Sequence, residues 1–332
     1  MIKFERSIEK AEFYNPSEEE VEISDVEIRK DPLTGKSSRV LAKPIPTHSD
    51  PDMSDVEKDG FCPFCPESVD EVGARDTRIL DKEKKERGEA VLLANITPYS
   101  KYSLVVRLCE DHYLPLDKFE EKQFSDGLIL VRDYLQKVFE KEENIFPSLI
   151  MNYLKPAGST IVHPHMQLLA TETPMDYQDR MINAAKRFYE KNEQNYWDQL
   201  IKEEKDGERY VGKTNNFDWI AAYAPKGYEH IKGICKKNFI DFGEESIGGL
   251  AEGITQVLSA YSDMDYNSFN FHVFVPPCEK SGEFSTVIDI IRRTNLDRFY
   301  RADDFAMTKL IDEPYVNKSP EKLAKEVRKF FD

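Results

Sequence analysis

Basic residues are in deficit. The chain carries 46 Lys and Arg against 62 Asp and Glu, a formal net charge of −16. That balance argues against a general nucleic-acid binder, which needs a basic footprint. It leaves room for a nucleotide held by a few local cations or backbone amides. Cysteine is scarce, odd in number and scattered, five in 332 residues, so no disulfide framework is expected. Long apolar runs are missing, none approaching the roughly 18 residues of a membrane span. The opening MIKFERSIEKAEF is charged and has no signal-peptide core. These absences predict a cytoplasmic protein with neither membrane nor nucleic acid as partner. Core-forming material is ample: 40% of residues are hydrophobic and 11% aromatic, which excludes global disorder. The length suits two domains or one duplicated unit.

Residues 1–60 are mostly polar, with a turn at Asp31-Pro32-Leu33-Thr34-Gly35 and a loop-like composition over 45–60. Residues 91–95 and 103–108 are short β-prone runs that read as a hairpin. Phe124, Leu128, Val131, Leu135 and Val138 form the stripe of an amphipathic helix. Strand candidates follow at 148–154 and 160–170. The charged stretch 176–210 reads as a solvated helical connector. The order then recurs: a hairpin at 217–225 and 228–235, a helix marked by Ile247, Leu250, Ile254, Val257 and Tyr261, and a strand at 266–277. The repeat predicts two related α+β halves with antiparallel sheets, joined into one sheet. Residues 319–331 form a last amphipathic segment, with Ser319 as N-cap and Pro320 in the first turn.

Two constellations carry chemistry. In Cys62-Pro63-Phe64-Cys65, thiolates three positions apart can grip one metal ion from a tight turn. The same spacing serves redox pairs or plain thiols, although no thioredoxin-like βαβ pattern surrounds it. Zinc would need two more ligands, and the chain has six histidines, including His112, His163 and His165. In His163-Pro164-His165-Met166-Gln167, an extended strand puts His163, His165 and Gln167 on one face, successive Cα atoms roughly 7 Å apart. One imidazole can then bind a metal while the next reaches a substrate; two half-buried, hydrogen-bonded histidines are the plainer alternative. Pro164 removes a ladder donor, which suggests an edge strand. Upstream, Asn152 and the turn Ala157-Gly158-Ser159-Thr160 form a small polar loop able to present backbone N–H groups to a phosphate. The glycines at 248, 249 and 253 read as close packing, and Cys109, Cys235 and Cys278 as buried small residues. His48 and His230 read as surface or satisfied histidines.

Taken together and in order, the 31–35 turn, the C-x-x-C pair, Asp111-His112, Asn152, Gly158-Ser159 and His163-Pro164-His165-x-Gln167 resemble the galactose-1-phosphate uridylyltransferase family, a branch of the histidine-triad superfamily. The match spans roughly residues 28–170, and residues 272–277 are similar to the family's second-half strand. The resemblance implies a histidine-triad-like half over 1–180 with a zinc site and nucleophile. A degenerate half over 181–332 would supply substrate and dimer contacts. It implies zinc on Cys62, Cys65, His112 and His163, and four protein ligands make such a site structural. It implies His165 as a nucleophile that forms a covalent nucleotidyl-imidazole, with Gln167 on the phosphoryl oxygens and Asn152, Gly158 and Ser159 binding substrate. The partners would be a nucleotide-sugar and a sugar phosphate or phosphate, and the assembly a homodimer in galactose metabolism. ADP-sugar phosphorylase, dinucleoside polyphosphate phosphorylase and adenylylsulfate:phosphate adenylyltransferase share that mechanism. A zinc-stabilised nucleotide-binding protein is the non-enzymatic alternative. Where some relatives place a second metal this chain has Asn270, with only His272 remaining. Glu283-Phe284 and Arg292-Arg293 are candidate sugar or phosphate contacts.

Overall fold

The computed structural model describes residues 2–43, 52–56, 60–277, 282–298 and 301–331. His48 and Cys278 lie outside them. The polar N-terminus hides strands. β1 (Glu5–Asn15) and β2 (Glu20–Lys30) form a long exposed ribbon that β3 (Ser37–Leu41) extends. The 31–35 turn joins β2 to β3 as expected. The Asp31 carboxylate accepts from the Thr34 amide at 2.8 Å, and Gly35 takes φ +73°.

After the short helix α1 (Pro66–Val72), the first half contributes β4 (Lys85–Arg87), β5 (Ala90–Ala94), β6 (Tyr102–Arg107), helix α2 (Glu121–Lys141), β7 (Phe146–Tyr153) and β8 (His165–Thr171). Helices α3 (Asp176–Asn192) and α4 (Tyr196–Glu204) intervene. The second half repeats the pattern: β9 (Tyr210–Thr214), β10 (Phe217–Ala221), β11 (Ile231–Cys235), α5 (Glu244–Asp263), β12 (Phe269–Phe274) and β13 (Thr286–Arg292). Helix α6 (Ala306–Lys309), β14 (Tyr315–Val316) and α7 (Pro320–Val327) end the chain. On α7 the Ser319 hydroxyl caps the Lys322 amide, as the sequence implied.

Strands β4 to β13 make one ten-stranded antiparallel sheet in the order β4-β5-β6-β8-β7-β12-β13-β11-β10-β9, and β14 joins the smaller sheet parallel to β3. Reading outward from the β7–β12 seam, both halves run through corresponding strands. The two expected halves are therefore continuous through one sheet. The hairpin partner β13 was not legible, because its run of Val and Ile is broken by Asp289 and Arg292. Helices α2 and α5 pack side by side on one face, over a core containing Phe124, Leu128, Tyr153, Trp219, Tyr261 and Phe269. Two of the three glycines pack closely: a Cβ at Gly253 would meet the Trp219 ring at 1.9 Å and one at Gly249 would meet Asn215 at 2.9 Å, whereas Gly248 has open space around it.

Two expectations are corrected. Helices α3 and α4 are not solvated all round. Beneath their charged face, Met181, Ile182, Ala185, Tyr196, Trp197, Leu200 and Ile201 pack against Ile220, Ile234, Phe274 and Val287 on the second face of the sheet. The high charge of 176–210 masked this helical stripe. Strand β8 is not an edge: it lies between β6 and β7 and starts at His165. Pro164 precedes the ladder, where its missing N–H costs nothing.

Candidate active site and metal centre

On the second face of the first half, a small lobe carries Cys62 and Cys65, with Cys65 at the N-terminus of α1. Phe64, Val69 and both cysteines pack on Val91, Leu93 and Val105 of the sheet. The buried Arg107 of β6 donates to the Phe64 carbonyl at 3.3 Å and the Glu89 carbonyl at 2.7 Å, tying lobe to strand. His163 lies in the bend before β8, and its ring turns under the lobe. Its Nδ1 is 3.8 Å from Cys62 Sγ and 3.7 Å from Cys65 Sγ, and His112 Nδ1 is 3.5 Å from Cys65 Sγ. The four ligand atoms lie within 4.8 Å of one another.

These distances fit a tetrahedral zinc ion. Bonds of about 2.3 Å to sulfur and 2.0 Å to nitrogen put sulfur and nitrogen about 3.5 Å apart. The donor chemistry fits too. His163 Nε2 lies 2.8 Å from the Cys109 carbonyl, so that nitrogen carries the proton and Nδ1 keeps its lone pair for a metal. Burial, helped by the nearby Arg107 cation, pushes the His163 pKa down to about 4, which keeps the ring neutral. The predicted Cys62, Cys65, His112 and His163 set is therefore brought together as one cluster.

Two residues on, His165 is buried beneath Phe64, whose ring meets it edge-on with centroids 5.1 Å apart. Its Nδ1 is 2.8 Å from the His163 carbonyl, an acceptor only, so Nδ1 holds the proton and Nε2 keeps a lone pair. Burial lowers its pKa and reinforces the neutral form. His165 and Gln167 line a cleft of about 400 Å³ between the lobe and the β5–β6 turn. Phe64, Val72, Leu93 and Ile96 make its apolar walls, with Asn95, Thr97 and Thr160 at its polar ends.

The 154–159 loop differs from expectation. The Ala157, Gly158 and Ser159 amides are bonded within the loop to the Leu154 and Lys155 carbonyls, and the Ser159 hydroxyl donates to the Ile161 carbonyl at 2.7 Å. Those amides are consumed by the turn and do not form a phosphate nest. Gly158 supplies the φ of +85° that closes the turn, and Thr160 and Ile161 reach the cleft instead.

A second groove of about 400 Å³ adjoins the first along the seam, lined by Ile150, Asn152, Asn270, His272, Lys226 and Asp289 among others. Strand register explains the adjacency. Gln167, Ile150, His272, Asp289 and Lys232 stand opposite one another in turn across β8, β7, β12, β13 and β11. The row places Gln167 and Asp289 three strand spacings, about 14 Å, apart. The buried Asp289 pairs with both Lys226 and Lys232 and lies 2.8 Å from His230 Nε2. His230 Nδ1 accepts from the Lys226 amide at 3.1 Å, so this ring is a satisfied histidine, buried rather than at the surface. Burial pushes the Asp289 carboxyl up, but the two ammonium groups and His230 prevail and hold it well below the usual range. Sequence reasoning missed Lys226 and Asp289; a lone carboxylate inside Val-Ile-Asp-Ile-Ile was the available clue. Of the C-terminal candidates, Arg292 pairs with Glu229 between Tyr228 and Tyr266, a structural role, and Phe284 is in the core. Arg293 reaches the seam through Asn270.

Among the described residues no helix is long and apolar enough to cross a membrane. No family model matches the chain. An uncharacterized protein of Archaeoglobus fulgidus is 42% identical over 314 residues, 94% of each chain. Among solved structures, an ADP-glucose phosphorylase from Arabidopsis thaliana with bound ADP-glucose superposes with a TM-score of 0.72 at 15% identity, covering 91% of this chain and 97% of that one. A GalT-like protein from Arabidopsis thaliana gives 0.70 at 16% identity, covering 91% and 98%. A uridylyltransferase gives 0.68 at 17% identity, covering 92% and 98%. These likenesses establish the α+β fold with its antiparallel sheets. At 42% identity over nearly its whole length, the chain belongs to the family of the Archaeoglobus fulgidus protein.

Proposed function

We propose that the protein is a nucleotidyltransferase working through a covalent nucleotidyl-histidine at His165. The observation that carries the reading is the buried, neutral imidazole whose Nδ1–H is held by the His163 carbonyl while Nε2 keeps its lone pair beside an open cleft. Nε2 attacks the α-phosphorus of a nucleoside diphosphate-sugar as the bond to the bridging oxygen breaks, and sugar 1-phosphate leaves with that electron pair. The imidazolium so formed keeps its proton at Nδ1 on the carbonyl. A phosphate oxygen of the acceptor then attacks phosphorus and the P–N bond breaks, restoring neutral His165. Gln167 donates to the phosphoryl oxygens, with Asn152 beside it and the Gly158–Ser159 turn shaping the approach. The apolar cleft suits a base and ribose. The neighbouring groove, with hydroxyl-binding groups on Asn152, His272, Lys226 and Asp289, suits a hexose 1-phosphate. UDP-glucose with a hexose 1-phosphate acceptor is the pair we infer, in a cytoplasmic homodimer of galactose metabolism. ADP-sugar phosphorolysis is the second reading, because the superposing phosphorylase holds ADP-glucose on the same fold.

Cys62, Cys65, His112 and His163 would hold zinc, which when bound cross-links the lobe to the strand carrying His165. The test is intact-protein mass spectrometry after mixing with UDP-glucose, ADP-glucose or adenylylsulfate without acceptor. A UMP-sized adduct at His165, lost in His165→Ala with the melting temperature retained, is expected. An AMP-sized adduct would shift the donor to an adenylyl compound. No adduct and no isotope exchange with any donor would sink the transfer reading in favour of a nucleotide-binding protein.

A further inference from the structure

Asn270, at the position where the resemblance would put a second-metal ligand, is built into a hydrogen-bond relay instead. Arg293 grips Asp303 through Nε at 2.9 and 2.8 Å, and its Nη1 lies 2.6 Å from Asn270 Oδ1. A guanidinium only donates, so the Asn270 atom facing it is oxygen. The other end of that amide is then NH2, and it meets Asn152 Oδ1 at 2.6 Å and the Ala157 carbonyl at 2.9 Å. A backbone carbonyl only accepts, so the orientation of Asn270 is determined from both ends. Asn152 must consequently turn its oxygen toward Asn270, which leaves its own NH2 for the groove it lines. One step beyond the Met151–Met166 pair in the ladder, Asn152 stands opposite His165.

We propose that Asn270 is a positioning residue: the Asp303–Arg293–Asn270 relay from the second half sets the Asn152 amide as a hydrogen-bond donor to the phosphoryl oxygens transferred in the first. The role in transfer rests on the reading of His165 given above. Without the relay the Asn152 amide is free to turn, and its carbonyl oxygen would repel the phosphoryl group it should bind. The relay also fastens the 154–159 loop through Ala157, so one amide orients the donor and anchors the turn beside it.

Asn270→Asp breaks the relay at its centre. The new carboxylate still accepts from Arg293 but has no N–H for Asn152 or Ala157, so Asn152 flips to donate toward it. Nucleotidylation of His165 is expected to slow roughly 100-fold, the scale for loss of one oriented donor, with KM for the nucleotide donor nearly unchanged. Asn152→Ala should fall comparably, and the double variant should be no slower than Asn152→Ala alone. Multiplying effects, or wild-type rates in Asn270→Asp, would overturn the relay. A measurement on the wild-type protein needs neither folding of a variant nor turnover. Side-chain amide hydrogen exchange by NMR should find the Asn270 NH2 slow and the Asn152 NH2 fast; the reverse order overturns the relay alone. An unmodified wild-type His165 would instead overturn the transfer reading and, with it, the role in catalysis.

Discussion

The two halves lay the same strands in the same order on either side of the β7–β12 seam, yet cover them differently. In the second half, α3 and α4 press Tyr196, Trp197, Leu200 and Ile201 onto the sheet. The space left among Tyr196, Leu200, Ile220 and His230 is only about 20 Å³. In the first half, a lobe of few apolar side chains covers the corresponding face and leaves a cleft of about 400 Å³. A packed face stabilises by burial; an open one forfeits that burial and must be held by something else. Arg107 is one such tie, and zinc on the Cys62–Cys65–His112–His163 cluster, as proposed above, would be the other. Stability and reactivity are thus divided between halves. The sheet beneath α4 is a filled, well-bonded platform with the seam groove at its edge, and the first half spends its packing on a void beside His165.

The most drastic way to break this division is to remove the holder. Structural zinc contributes on the order of 10 kcal/mol in small zinc domains. Chelation, or Cys65→Ser, should therefore lower the melting temperature more than any single core substitution and abolish nucleotidylation with it. Freshly purified protein should contain one zinc per chain by native mass spectrometry. Metal-free protein with an unaltered melting curve would show that apolar packing alone holds the lobe. Removing the filler on the other side is the complementary cut. Trp197 stacks on Phe274 with centroids 6.2 Å apart and is 2% exposed. Trp197→Ala should cost about 3–5 kcal/mol in urea unfolding, while the folded fraction modifies His165 at the wild-type rate. A loss below about 1 kcal/mol would mean that α3 and α4 are not the stabilising cover, and a slowed modification would couple the halves through packing.

What the sequence revealed follows the same division. The clustered cysteines and histidines and the cleft-lining His165 and Gln167 were legible because they stand in motifs closely spaced along the chain: C-x-x-C, H-P-H-x-Q and the 31–35 turn each bring groups together within a few residues. The amphipathic helices were legible from periodicity, and the hairpin of each half from short β-prone runs flanking a turn. The second-half groove was not, because Lys226 and His230, in the turn before β11, are far in sequence from His272 and Asp289, and the pairing of β11, β13 and β12 brings them together. β1 and β2 escaped because both faces of the ribbon are largely exposed, leaving no clean apolar alternation to read. The buried stripe of α3 and α4 was hidden by the charge on their outer face. The turn at 157–159 could be read either way, because glycine and serine suit a phosphate loop and a self-bonded turn equally well.

The finest distinction between the halves concerns protons. His272 sits on the seam, 3.3 Å from Ser148 Oγ of β7, under the Tyr177 ring of α3, with Lys226, Lys232 and Asp289 around it. Burial above all, with Lys226 and Lys232 adding to it and Asp289 opposing, pushes its pKa down to about 4. An unfolded histidine titrates near 6.5. Between these values the unfolded chain binds a proton that the folded one refuses, so the contribution is full above about 6.5 and is lost as pH falls toward 4. The span corresponds to roughly 3 kcal/mol. His272→Gln retains a hydrogen-bonding group for Ser148 but does not titrate. Other buried histidines respond alike in both proteins, so the comparison isolates this one. Urea unfolding at pH 7 and pH 4.5 should show the variant losing about 2–3 kcal/mol less than the wild type on acidification. Equal losses would mean that His272 accepts its proton in the folded protein, and that the seam groove is wetter than its apolar floor of Ile150 and Ile291 implies.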